Sequence, residues 1–173
     1  MSIDELIQLG YQARRASQPE EALRHFKQAV DESRKQNAQS YLAQALKGQG
    51  QIERDQRQVA LAITRYEEAA AIERTLADPL RIAHTIRHLG DMHSDSTIAE
   101  PYFVEALQIY RAHPEANPLD VANALAGYAR LKAKTGPNDQ ALALFIETRD
   151  CYATLEIQAG VDECNRRIAL LTP

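Results

Sequence analysis

His84-Thr85-Ile86-Arg87-His88-Leu89-Gly90, followed by Ala99-Glu100-Pro101-Tyr102-Phe103, is the stretch whose reading decides the fold. Both halves recur along the chain. The small residue returns as Gly10, Gly50, Gly90 and Ala129, at intervals of 40, 40 and 39 residues. A mostly apolar pair precedes it each time, as Leu6/Leu9, Leu46/Gln49, Ile86/Leu89 and Leu125/Tyr128. The second half repeats as Ala-x-x-x-aromatic in Ala22/Phe26, Ala62/Tyr66, Ala99/Phe103 and Ala141/Phe145. Its Ala lies 12 residues after the small residue in three units and 9 after it in the third. These are the i, i+3, i+4 and i+7 spacings of helices, without the alternation of strands.

Boundary signals agree. Ser2-x-x-Glu5, Ser17-x-x-Glu20 and Thr97-x-x-Glu100 have capping-box form. Pro19, Pro79 and Pro118 suit a first helical turn, where a missing N–H costs little. Gly136-Pro137-Asn138 breaks the fourth unit. The pattern predicts helices near 3–16, 19–36, 38–55, 58–77, 79–94, 97–112, 118–135, 138–155 and 157–171. Gly or Ala at a helix crossing lets two backbones approach while the aromatic fills the adjoining gap. One pair cannot bury its apolar face alone, so pairs must stack. The last helix carries Ile157, Val161, Cys164, Ile168 and Leu171 on one stripe, with charged residues on its other faces. That pattern suits a helix that covers the end of a stack.

Composition narrows the classes of function. The chain has 173 residues, 45% hydrophobic and 25% charged, as an ordinary folded protein does. Its net charge of −4 argues against a general nucleic-acid or membrane-surface binder, which needs a basic face. Cys151 and Cys164 are too few for a disulfide framework and read as reduced thiols. The start, Met1-Ser2-Ile3-Asp4-Glu5, lacks the basic cluster of a signal peptide, and no run approaches a membrane span. The expected setting is cytoplasmic.

The Leu-Gly step followed by Ala-x-x-x-aromatic resembles the tetratricopeptide repeat over about residues 3 to 155, and is kept best at Leu89-Gly90, Ala99 and Phe103. The period near 40 is similar to the long repeats of kinesin light chain. No unit has the family's first-position Trp, and His93 and Lys132 stand where the family has Tyr. The resemblance implies an all-α, right-handed superhelical solenoid in a single domain over 1–173. Its repeats are expected near 3–36, 38–77, 79–112 and 118–155, with a capping helix at 157–171. It also implies a non-enzymatic scaffold or adaptor that holds a protein or peptide in a groove lined by the first helix of each pair.

In that family the exposed groove positions lie six and three residues before the small residue, and one, four and five after it. Here they are Asp4, Ile7, Tyr11, Arg14 and Arg15, then Gln44, Lys47, Gln51, Arg54 and Asp55. The third and fourth units give His84, Arg87, Asp91, Ser94 and Asp95, then Asn123, Ala126, Arg130, Ala133 and Lys134. They hold seven Lys or Arg and four Asp, a net charge of +3 on an acidic protein. A mildly basic groove favours a partner with an acidic segment. The expected ligand-binding residues are Tyr11, Arg14, Lys47, Gln51, Arg54, His84, Arg87, Asp91, Asn123 and Arg130. The family's carboxylate-clamp set is not reproduced, since the first unit has Ile7 and Tyr11 at the matching places.

Catalytic signatures are missing from the pattern. His84 and His88 are one turn apart, but no adjacent Glu or third ligand completes a metal site. Cys151 and Cys164 do not form a Cys-x-x-Cys pair, and neither a phosphate loop nor a Gly-x-Ser-x-Gly elbow occurs. The expectation is no enzyme, no cofactor and no metal. Two alternatives to the adaptor reading stay open, a self-associating assembly protein and a peptide-sensing regulatory subunit.

Overall fold

A computed structural model describes residues 1–172, so that Pro173, the end of the expected domain, lies outside the described residues. Among the described residues the chain forms nine helices and no strands. They are α1 (Ile3–Arg15), α2 (Pro19–Lys35), α3 (Gln39–Asp55), α4 (Val59–Thr75), α5 (Pro79–Met92), α6 (Ser96–Ala112), α7 (Pro118–Thr135), α8 (Asn138–Thr154) and α9 (Gln158–Leu171). Each expected helix is present within one or two residues of its predicted ends. Two compact units divide the chain inside α5, Met1–Thr85 and Ile86–Pro173.

In the first unit the aromatic of each second helix meets the small residues of its neighbours. A Cβ on Gly10 of α1, or on Gly48 of α3, would lie closer than 3.0 Å to three ring atoms of Phe26. Phe26 is fully buried between these two glycines. Tyr66 of α4 stands in the same way against Gly50. The second unit repeats the arrangement around Phe103 of α6, which meets Gly90 and Gly127. Ala129, Phe145 and Cys164 form the last core cluster, onto which Ile168 and Leu171 of α9 pack.

Two of the three expected capping boxes are absent. Ser2 and Glu5 make the full reciprocal box at α1. Ser17 instead adopts φ 58° in the α1–α2 turn, where Gln18 is the N-cap. At α6 the cap is Asp95, which accepts from the Thr97 amide at 2.8 Å. Glu100 turns toward α7, where it accepts from Lys132 at 2.5 Å and from the Tyr128 hydroxyl at 2.8 Å.

The turns of the first unit share one conformation, which returns in the second unit at Glu156, with φ 56° and the Ile157 amide donating to the Tyr152 carbonyl. Ser17, Asn37, Arg57 and Ala77, twenty residues apart, all take left-handed backbone with φ between 52° and 63°. The amide after three of them reaches back to the preceding helix, as in Gln18 to the Ala13 carbonyl, Ala38 to Ser33 and Gln58 to Glu53. This is a Schellman closure without its usual glycine. A side chain in that conformation costs about 1–2 kcal/mol, against about 0.5–1 kcal/mol for glycine's extra unfolded-state freedom. Arg57→Gly or Ala77→Gly should therefore raise stability by about 0.5–1 kcal/mol, read from the urea midpoint at unchanged slope.

Candidate protein-interaction faces

Burial decides which expected positions can meet a partner. All four positions three residues before the small residue, Ile7, Lys47, Arg87 and Ala126, are buried. This corrects the expectation that Lys47 and Arg87 are exposed groove residues. The remaining sixteen positions are at least partly exposed. They hold five Lys or Arg and four Asp, a net charge of +1 instead of +3.

Burial gives Lys47 an internal partner. Its ammonium donates at 2.6 Å to Glu73 of α4, whose side chain is fully buried. The other Glu73 oxygen accepts from the Thr85 hydroxyl of α5 at 2.5 Å. Charge and lone pairs are thus satisfied inside the first unit.

On the exposed side of that unit, Arg14 of α1 donates two bonds to Asp55 of α3, at 2.8 and 3.2 Å. Arg54 donates to the other Asp55 oxygen at 2.9 Å. Partial burial raises the Asp55 carboxyl, but these guanidinium bonds outweigh it and hold the group below its ordinary value. Tyr11 packs its ring edge-on against Phe26, 5.0 Å between centroids. Burial pushes its phenol up against the opposing charge of Arg14. Gln51 and His84 are half-buried on α3 and α5.

In the second unit the Arg87 guanidinium donates to Asp91 at 3.2 Å and meets Nε2 of His88 at 2.8 Å. The other Asp91 oxygen accepts from Arg130 of α7 at 3.2 Å. Asn123 accepts from the Tyr152 hydroxyl at 2.8 Å, which fixes its amide. A pocket of about 150 Å³ brings together Asp91, Ser94, Arg130 and Lys134, all expected groove positions. His93 and Thr135 also line it. Gly127 makes room for it, since a Cβ there would lie 2.8 Å from Asp91 Oδ1. His93, which stands where the family has Tyr, thus lines a pocket, and Gly127 lies outside the small-residue series. The signal for Gly127 was a second glycine series, Gly48 and Gly127, each two residues before the small residue.

Among the described residues no group of three or more His, Cys, Asp or Glu is placed to hold a metal ion. Both cysteines are free thiols. No helix among the described residues is long and apolar enough to cross a membrane.

Helix pairs with small residues against a recurring aromatic define the tetratricopeptide-like helical repeat, an all-α solenoid fold. The sequence matches no family model and no curated protein. Solved structures supply the likeness. BtubC (BKLC) from P. vanneervenii superposes with a TM-score of 0.80 at 18% identity, over 89% of this chain. The chain spans 64% of the length of that protein. The nearly identical TPR-like repeats of a Podosopora anserina putative kinesin light chain give a TM-score of 0.55 at 13% identity, over 98% of this chain and 94% of that one. A thermophilic TPR protein of Thermus thermophilus gives a TM-score of 0.55 at 17% identity, over 99% of this chain and 92% of that one.

Proposed function

We propose that this protein is a non-catalytic adaptor that binds a protein or peptide through the exposed faces of its first helices, taking one acidic group of the partner between Arg130 and Lys134. The observation that carries this reading is the polar pocket of the second unit, where Asp91, Ser94, Arg130 and Lys134 meet. Arg130 and Lys134 stand one turn apart on α7, and Asp91 is the carboxylate that lines the pocket with them. These three lining groups carry a net charge of +1, and Asp91 is also bonded by Arg87. At about 150 Å³ the space suits a carboxylate and not a large side chain. The first unit adds Arg14, Arg54 and Gln51 on its own face, with Tyr11 as an apolar contact. Lys47 and Arg87 support these faces from inside.

Selection of random twelve-residue peptides displayed on phage, against wild type and Arg130→Glu/Lys134→Glu, tests the reading. Wild type should enrich sequences with Asp or Glu, and the double variant should lose that enrichment with its helical circular dichroism intact. Reversing two exposed cations should weaken a selected acidic peptide at least tenfold, or about 1.4 kcal/mol. Acidic sequences enriched equally by both proteins would remove Arg130 and Lys134 from the site.

A further inference from the structure

A second cavity, of about 280 Å³, lies in the second unit at the ends of α6 and α8 and the start of α7. Pro114, Pro118, Val121 and Leu155 give it apolar walls, joined by Tyr110 and Cys151. Burial, reinforced by the Asp120 carboxylate, pushes the Tyr110 phenol well above its ordinary value. Burial, then the charges of Glu147 and Asp150, likewise push up the Cys151 thiol. Both wall groups are therefore neutral in water near pH 7.

The electrostatic frame of this cavity is the reverse of the Arg130–Lys134 pocket. Segments 110–121 and 147–155 carry Glu115, Asp120, Glu147 and Asp150 against Arg111 and Arg149, a net charge of −2, which Arg87 of α5, acting on the Tyr110 phenol, reduces to −1. Glu147 and Asp150 each accept from one of those arginines. Glu115 pairs with His113 at 2.8 Å. Two helix C-termini, Ala112 of α6 and Thr154 of α8, end at the cavity, and their carbonyl ends favour a cation. The N-terminus of α7, which also borders the cavity, is capped by Asn117 and carries Asp120 in its first turn. The volume falls just below the usual range for small-molecule sites, and suits one large apolar side chain.

We infer that this cavity is a docking site for a protein segment that inserts one apolar side chain flanked by Lys or Arg. It is separate from the acidic-group pocket and does not depend on that reading. The test is an amide-resolved NMR titration of the full chain with three blocked pentapeptides, Gly-Lys-Leu-Lys-Gly, Gly-Glu-Leu-Glu-Gly and Gly-Lys-Ser-Lys-Gly. The first should shift the amides of Val121, Cys151 and Leu155, bind roughly fivefold more tightly than the Glu peptide, the scale of two exposed charge contacts, and at least as much more tightly than the Ser peptide, which lacks the apolar side chain. Thr154→Trp, which fills the cavity from its exposed rim, should abolish the shifts at an unchanged melting temperature. Val121→Phe is the second filling variant, should the first lower that temperature. No shift with the first peptide, equal shifts with the Glu peptide, or shifts that survive a folded filling variant would overturn the inference. Isobutylamine matching the first peptide would overturn it too, by assigning the cavity to a small amine.

Discussion

Gly48→Ala should destabilise the protein by about 2 kcal/mol, although alanine is the better helix former. The propensity change alone favours alanine by about 0.8–1.0 kcal/mol in a helix interior. Against it stands the contact, since the new Cβ would lie closer than 3.0 Å to three atoms of a Phe26 ring that is fully buried. The ring cannot retreat, because Gly10 of α1 holds it at a similar approach from the other side. Overpacking of this kind costs typically about 1–3 kcal/mol and occasionally more, so it exceeds the propensity gain. Gly48→Leu should cost more, roughly 4 kcal/mol by the same reasoning, a large part of the roughly 5–15 kcal/mol that holds a domain folded. A double-mutant cycle with Phe26→Leu separates the two terms. The smaller side chain should make Gly48→Ala neutral or stabilising, whereas an unchanged penalty would mean that the clash lies elsewhere.

The second large effect is electrostatic. Glu73→Ala strands the Lys47 ammonium without its carboxylate and takes the acceptor from the Thr85 hydroxyl. Losing one partner of a buried pair costs about 3–5 kcal/mol, because the remaining charge has given up its water. Lys47→Met/Glu73→Leu removes both charges and keeps the volume, so it should lie close to wild type or above it in urea unfolding. If Glu73→Ala cost less than about 1 kcal/mol, water would have to reach Lys47 in the folded state. The same pair explains why Lys47 is a poor residue for probing a binding face. Its reversal would act on stability before it acted on any ligand.

Several features were legible in the sequence for identifiable reasons. Prolines 19, 79 and 118 mark helix starts through their lost N–H, and the Ala-x-x-x-aromatic series fixes which face of each second helix is buried. The small-residue series named Gly10, Gly50 and Gly90 as close approaches, and each does face an aromatic ring. Burial of charge was less legible. Lys47 and Glu73 lie 26 residues apart, and a Lys at a half-polar position reads as surface until its partner is seen. The turns were hidden as well, because Ser17, Arg57 and Ala77 hold left-handed backbone through hydrogen bonds to the preceding helix and not through glycine.

The last helix was legible in part. Placed in register with α7, α9 sets Ala169 at Ala129, Val161 at Val121 and Cys164 at Ala124. It keeps the side that packs on α8, with Cys164 buried. At the positions of Ala122 and Leu125, both buried in α7, it carries the exposed Asp162 and Asn165. The side matching the buried Ala122 and Leu125 face of α7 is thus polar in α9. The binding residues were the least legible. Periodicity gives an angle around a helix, whereas a pocket such as that of Asp91, Arg130 and Lys134 depends on which neighbour stands opposite.

The central claim is that partners meet the first helices of the pairs. Site-specific photo-crosslinking tests it most directly, with benzoylphenylalanine placed singly at Gln51 and Ser94 on the proposed faces, and at Gln28 and Ile146 on second helices, all in the living source cell. The account predicts discrete protein adducts from Gln51 and Ser94, lost from Ser94 when Arg130→Glu/Lys134→Glu is added, and none from Gln28 or Ile146. Adducts formed only at Gln28 or Ile146 would contradict it, and would place the partner on the opposite side of the helix pairs.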